Sequence, residues 1–235
     1  MAHTTKQQQA LADIRERLFA LRDEGYREFQ SGLMPTVDRA RVLGVRTPAL
    51  RKLARALLGS ETAEAFLTVL PHAYYEEDNL HAFLISRERD FPRALSLTEA
   101  FLPHIDNWAT CDSFAPPVFA KHLPEMDVCA ERWMSSTHPY TVRYGIGVRM
   151  RYFLGDAFAP AQMERIASIA DDHYYVRMMI AWYVATAVAK QPAAALALLE
   201  AQTLDAWTQN KAIQKARESF CVEEGVKGYL KGLRR

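Results

Sequence analysis

Trp108 and Asp112 stand four residues apart in the run Phe101-Leu-Pro-His-Ile-Asp-Asn-Trp-Ala-Thr-Cys-Asp-Ser113. On a helix that spacing puts both side chains on one face. A carboxylate beside an indole wall can hold a developing positive charge, because the anion attracts it and the ring face adds a cation–π contribution. The competing reading is structural: Asp106 or Asn107 caps a helix, Trp108 is core and Asp112 is a solvated surface residue. Two other chemistries are weaker. Cys111 with His104 upstream offers a thiol and a base, but a nucleophilic cysteine needs a lowered pKa and a positioned imidazole. Glu77 with His81, and Asp78-x-x-His81, mimic half of a carboxylate-bridged metal site, yet such sites use the motif twice. The expectation is therefore no metal and no cofactor. The sequence holds no phosphate loop, no Gly-x-Gly-x-x-Gly and no Gly-x-Ser-x-Gly.

The elements that must position these residues read as helices. Almost no stretch alternates apolar and polar residues as a half-buried strand would. Leu11, Ile14, Leu18 and Leu21 make a helical stripe over 7–24, which Gly25 is expected to end. Thr47-Pro48 opens the next helix, with Thr47 as its cap and Leu50, Leu53, Ala54 and Leu57 buried. A short helix is expected over 61–70, a longer one over 75–89 and another over 93–102, and Pro116-Pro117 should interrupt the chain after Phe114. Residues 177–190 are apolar nearly all round and must be covered by other helices.

Repetition points to the architecture. Trp108 and Trp182 lie 74 positions apart, as do Trp133 and Trp207, and Tyr140-Thr-Val-Arg143 recurs as Tyr175-Val-Arg177. Periods in this range, built from helix pairs, indicate an α-solenoid. The fold expected is all-α: one domain over 1–235, with residues 1–8 disordered and about five or six HEAT-like helix pairs in a C-shaped, right-handed superhelix.

Composition restricts the partners. Of 235 residues 49% are apolar, and 29 basic against 28 acidic residues leave a net charge of +1, so nucleic-acid binding must come from a local basic patch. Three cysteines without close spacing suit reduced thiols in a cytoplasmic protein. Residues 1–9 lack the apolar core of an export signal, and no run suggests membrane insertion.

Five motifs in order carry a resemblance over the chain from about residue 10: Leu43-Gly-Val-Arg-Thr-Pro-Ala-Leu-Arg-Lys-Leu-Ala54, Tyr74-Tyr-Glu-Glu-Asp-Asn-Leu-His81, Asn107-Trp-Ala-Thr-Cys-Asp112, Thr141-Val-Arg143 and Ile180-Ala-Trp182. Together they resemble the HEAT-like repeat DNA glycosylases of the AlkD type, the bacterial DNA alkylation-repair family. The resemblance implies a concave groove that grips double-stranded DNA and releases N3- or N7-alkylated purine by hydrolysis, without metal or cofactor. It implies that Asp112 stabilises the oxocarbenium-like sugar and orients water, that Trp108 and Trp182 pack against the lesion's deoxyribose, and that Arg143 grips phosphate beside them. These four residues would then converge on the concave face. Arg149, Arg177, Lys211 and Lys215 are further candidates for the DNA backbone.

Two departures temper the implied activity. Active members of the family carry an arginine where Ala185 stands, and a lesion-contacting helix before the Gly-x-x-Thr-Pro motif, where Ser31-Gly-Leu-Met-Pro-Thr-Val-Asp38 looks too broken to form one. The chain resembles a subgroup lacking both. The expected function is thus a monomeric nucleic-acid-binding module with slow or absent alkylpurine excision. The alternatives are an active glycosylase and a scaffold that binds a protein partner.

Overall fold

The structure, a computed structural model, describes residues 4–235. Of the segment 1–8 expected to be disordered, residues 1–3 lie outside the described residues, while Thr5–Gln8 already form the first turn of a helix. Thr4 caps that turn by a reciprocal box, Gln7 N donating to its Oγ1 at 3.3 Å and Thr4 N to Gln7 Oε1 at 2.8 Å. The described residues form fourteen α-helices and short 3₁₀ turns, with no strand, so the chain is an all-α, helical-repeat protein. The chain groups into two compact units, Met1–His122 and Leu123–Arg235, each described in turn. No helix among the described residues is long and apolar enough to cross a membrane.

The first unit contains α1 (Thr5–Ala20), α2 (Glu24–Leu33), α3 (Thr47–Leu57), α4 (Glu61–Phe66), α5 (Tyr75–Ile85), α6 (Phe91–Phe101) and α7 (Trp108–Ser113). The helix expected over 7–24 stops at Ala20, because the Asp23 carboxylate accepts from Tyr26 N at 2.9 Å and starts α2 there. Gly25 thus lies inside a helix. Thr47 is the first residue of α3 and Arg46 its cap. The helices expected over 61–70, 75–89 and 93–102 run instead over the bounds of α4, α5 and α6. The chain breaks near Pro116 as expected, a 3₁₀ turn following over Pro117–Lys121.

A helix does precede the Gly-x-x-Thr-Pro motif, but α2 takes only Ser31, Gly32 and Leu33 of the suspect stretch. The remainder is packed coil: Met34, Val37 and Val42 cluster with Tyr75 and Ala109. At the unit's centre lies α5, whose eleven residues are all buried and against which α3, α6 and α7 pack.

The second unit holds α8 (Leu123–Met134), α9 (Pro139–Tyr152), α10 (Pro160–Ala167), α11 (Tyr174–Lys190), α12 (Pro192–Ala201), α13 (Ala206–Glu218) and α14 (Glu224–Gly232). The apolar run expected to be covered is α11, packed by α9, α10, α12 and α13. Between α8 and α9 the helices approach closely at Gly145, where a Cβ would lie 2.9 Å from Met134 Cγ and 3.0 Å from Ala130 O.

The tryptophan spacing is not a structural repeat. Trp108 opens α7 whereas Trp182 sits mid-way along α11, and Trp133 ends α8 whereas Trp207 begins α13. The repeat that folding respects is the other one. His138 caps α9 and His173 caps α11, each accepting on Nδ1 from a backbone N–H at 3.3 Å.

Candidate functional site

The first half of the candidate site is α7 and the loop before it. Asn107, fully buried, accepts from Thr110 N through Oδ1 at 2.8 Å, which makes it the cap that starts the helix. Its Nδ2 donates to Asp106 Oδ1 at 3.0 Å. Trp108 and Asp112 follow one turn apart, both half-buried, while Thr110 and Cys111 point into the core. The indole is fixed: Trp108 Nε1 donates to the Leu33 carbonyl at the end of α2, at 3.2 Å. Trp108 is therefore neither pure core nor free surface. It shows part of its ring beside the carboxylate-bearing position one turn on.

What holds this segment is the acidic run of α5, which the sequence marked as part of a family pattern and as half of a metal motif. Glu76 accepts from the backbone N–H groups of Leu43, Gly44 and Val45 at 2.9, 2.7 and 3.2 Å. Gly44 serves that close approach: its φ is +86°, and a Cβ there would fall 2.4 Å from Asp23 O. Burial pushes the Glu76 carboxyl above its ordinary value against the pull of those three N–H groups. Glu77 takes Arg15 Nε at 2.6 Å and the N–H groups of Ala73 and Tyr74 at 2.9 and 3.0 Å.

Asp78 and Asn79 reach α7. Arg41 donates to Asp78 Oδ2 at 3.1 Å, pairs with Asp106 through its other terminal nitrogen, and donates from Nε to Ala73 O at 3.2 Å. Burial, with the neighbouring Asp106 carboxylate, pushes the Asp78 carboxyl well above the usual range, while Arg41 pulls it down. Thr110 Oγ1 lies 3.0 Å from Asn79 Oδ1. Three ties thus hold the Trp108 segment: the Arg41 bridge, the Asn79 contact and the Leu33 carbonyl.

The thiol and metal alternatives lose their parts to the same packing. Cys111 is buried. Glu77 is spent on Arg15 and the backbone, and His81 Nδ1 lies 2.9 Å from His72 Nε2 instead of facing Glu77. Among the described residues no group of three possible metal ligands forms.

In the second unit the expected phosphate contacts are largely engaged. Arg143 is 3% exposed and its Nη1 donates to Tyr175 O, at the start of α11, at 2.7 Å. Arg149 is 4% exposed, pairs with Asp127, donates to Asp127 O at 3.1 Å and covers the Phe153 ring at 4.9 Å. Arg177 pairs with Asp205, the cap of α13, and lies 4.6 Å over the Trp207 ring. Arg143 and Arg177 occupy matching first turns, and each ties its helix to the start of a later helix packed against it. Sequence reasoning took this repeat as a sign of paired helices, and the family resemblance gave Arg143 a phosphate. Its ring-rich capping residues, His138 and His173, were the signal that it marks a helix junction.

Lys211 and Lys215 remain accessible. Lys211 Nζ donates only to the neutral Gln214 Oε1, at 2.9 Å, among the described contacts. Lys215 lines a cleft of about 410 Å³ with Trp182, Ala185, Lys190 and Cys221, and Trp182 is 39% exposed. Trp108 and Asp112 belong to the first unit, and Arg143 and Trp182 to the second.

Among known proteins, a family described as DNA alkylation repair enzyme matches residues 14–216. No curated protein matches the chain at a significant level.

Proposed function

Because the chain belongs to the DNA alkylation repair enzyme family, we propose that it engages double-stranded DNA at alkylated or distorted nucleotides, and that it excises the alkylpurine slowly or not at all. Alkylation at N3 or N7 makes the purine a cationic leaving group, so the reaction needs little more than a carboxylate near the sugar as the glycosidic bond opens. Asp112 supplies that charge and orients water, and the exposed part of the Trp108 ring bounds the sugar's position.

The observation that carries the slow reading is the engagement of Arg143, Arg149 and Arg177. Clamping the backbone with them means breaking protein hydrogen bonds and ion pairs, two of the three guanidinium groups being buried. A misplacement of about 1 Å in the reacting geometry can cost a hundredfold in rate. Ala185 adds no cation beside Trp182.

A second reading, an efficient glycosylase, is favoured by the three ties that fix α7, since catalysis rewards a preorganised carboxylate. The test is release of 7-methylguanine and 3-methyladenine from methylated duplex DNA by the wild type and by Asp112→Asn. Slow or undetectable release by the wild type is expected. Rapid release that collapses in Asp112→Asn, which keeps the shape but loses the charge, would establish the efficient enzyme.

A further inference from the structure

The first unit carries a cleft that the Trp108 site does not use. Its volume is about 710 Å³, and it lies where Leu58, after α3, and Arg87 to Arg89, after α5, meet Val118 and Lys121 of the 3₁₀ turn. Glu76 and Asp78 sit at the start of α5, whereas the cleft is at its far end, an eleven-residue helix spanning about 15 Å. The cleft is a standing feature of the fold. Leu57, Ile85 and Phe119 are buried beneath it in the chain segments that form it, and Ala115 N donates to Ser86 Oγ at 3.3 Å.

The two carboxylates that line it, Glu64 and Glu88, are already spent. Arg93 donates to Glu64 at 2.6 Å and to Glu88 at 2.7 Å, and the other oxygen of Glu88 accepts from the backbone N–H groups of Arg89 and Asp90 at 2.7 and 3.0 Å. The three cations are not, since none of the described ion pairs takes Arg87, Arg89 or Lys121. One cation past the end of α5 would answer that helix's C-terminal dipole. Three, drawn from two separate elements, exceed that need. They share the cleft with apolar surface, Leu58 being 54% exposed and Val118 half-buried.

An arginine fork suits a carboxylate and a phosphate alike, and the rest of the lining separates the two. No aromatic ring lines the cleft to stack a base, and a phosphate chain has no side chain to lay on Leu58 and Val118. An extended peptide offers carboxylates and an apolar side chain within a few residues of one another.

We propose that this cleft is a docking site for an acidic segment of a partner protein, whose carboxylates meet Arg87, Arg89 and Lys121 while an apolar side chain lies on Leu58 and Val118. The site makes no use of Trp108 or Asp112 and does not rest on the DNA reading, so either can fail alone.

The probes are three fluorescein-labelled peptides of about nine residues, made of repeated Glu-Glu-Leu, Glu-Glu-Ser or Lys-Lys-Leu, titrated against the full chain by anisotropy. The Glu-Glu-Leu peptide is expected to bind about tenfold more tightly than its charge-reversed Lys-Lys-Leu counterpart, and about fivefold more tightly than Glu-Glu-Ser, which keeps the charge and loses the apolar surface. Arg87→Glu/Arg89→Glu should weaken it about tenfold and Leu58→Ser about fivefold, each with unchanged melting. Lys121→Glu repeats the test on a separate element and should weaken it about threefold. A labelled DNA duplex should bind the wild type and Arg87→Glu/Arg89→Glu within about threefold of one another.

Failure of the Glu-Glu-Leu peptide to bind overturns the inference. So does binding that Arg87→Glu/Arg89→Glu and Lys121→Glu both leave within about twofold of wild type, which would place the peptide elsewhere. Equal binding of Glu-Glu-Ser overturns it too, by marking a bare anion site. A duplex weakened about tenfold by Arg87→Glu/Arg89→Glu, with the peptides unaffected, would assign these cations to nucleic acid instead.

Discussion

At the scale of single residues, burial decides what a charged group is for. Three successive acids in α5 suggest a solvated face, yet Glu76 and Glu77 are 0% exposed and Asp78 2%, and each is spent on loops that sequence cannot place beside it. Asp112 four residues after Trp108 was legible, and a cap at Asp106 or Asn107 was too, with the structure choosing Asn107. Glu76 was not, because its partners are backbone N–H groups some thirty positions away in the chain. Glu76→Gln keeps the shape but turns one accepting oxygen into a donor facing N–H groups. A loss of about 2–4 kcal/mol is expected from unpaired buried donors, measured by urea denaturation. A loss under about 0.5 kcal/mol would mean that the loop carrying Gly44 has other support. The histidines carry a second prediction. His72 and His81 stack against Phe66 and Phe101, with centroids 4.5 and 4.4 Å apart. Their outer nitrogens form no hydrogen bond. Burial, and then nearby cations, lower His72 to about 3, and burial with His72 beside it holds His81 well below 6.5. The unfolded chain binds more protons than the folded one below pH 6.5, so the neutral pair gives stability that is full above that pH. It is lost as pH falls towards about 3, at up to about 1.4 kcal/mol per pH unit for each ring. The raised Asp78 and Glu76 act with opposite sign at the lower end of that range, so the comparison is with His72→Gln/His81→Gln. Wild-type stability should fall more steeply than the variant's between pH 6.5 and 5. Parallel curves would show that the rings titrate normally in the fold.

At the scale of elements, helix class and most breaks were readable because apolar spacing and proline act locally. Helix ends were less so. Asp23 outcompeted Gly25 for the first break, and α5 stopped at Ile85 although its pattern ran on to Arg89. The tryptophan period misled because it matched residue type without matching position on a helix, whereas the Val-Arg spacing marked true equivalence at the starts of α9 and α11. Two substitutions test how elements are held. Asn107→Ala removes the cap of α7 and should cost about 1–2 kcal/mol. It should also red-shift and quench Trp108 emission if the Leu33 tie loosens with the helix start, and an unchanged spectrum would show that the indole is held independently of the cap. Gly145→Ala forces a Cβ to 3.0 Å from the Ala130 carbonyl. Because the crowding atoms include backbone, relief requires α8 and α9 to separate, at a cost of about 1–3 kcal/mol in thermal or chemical denaturation. A neutral Gly145→Ala would mean that the Met134 side chain alone absorbs the contact.

At the scale of the whole molecule, a net charge of +1 gives no long-range attraction for a polyanion, so the affinity for undamaged duplex DNA rests on how many cations are free to meet phosphate. Composition fixed the first half of that argument. The second half needed coordinates, because an arginine in a sequence looks the same whether it meets solvent or a carbonyl. Were Arg143, Arg149, Arg177, Lys211 and Lys215 all to contact phosphate, the slope of log affinity against log salt would be near about −4.5. The three arginines are tied to Tyr175 O, Asp127 and Asp205, which leaves lysines to do the work and an expected slope of about −2 to −3. Binding should therefore be weak near physiological salt and should weaken only moderately as salt is raised. Fluorescence anisotropy of a labelled duplex at three or more salt concentrations gives the slope directly, and Asp205→Asn supplies the control. Releasing Arg177 from its partner should add one phosphate contact and steepen the slope by about 0.9. A wild-type slope already near −4.5, unchanged in Asp205→Asn, would mean that the arginines leave their partners for DNA at little cost, and the slow-excision reading would lose the observation on which it stands.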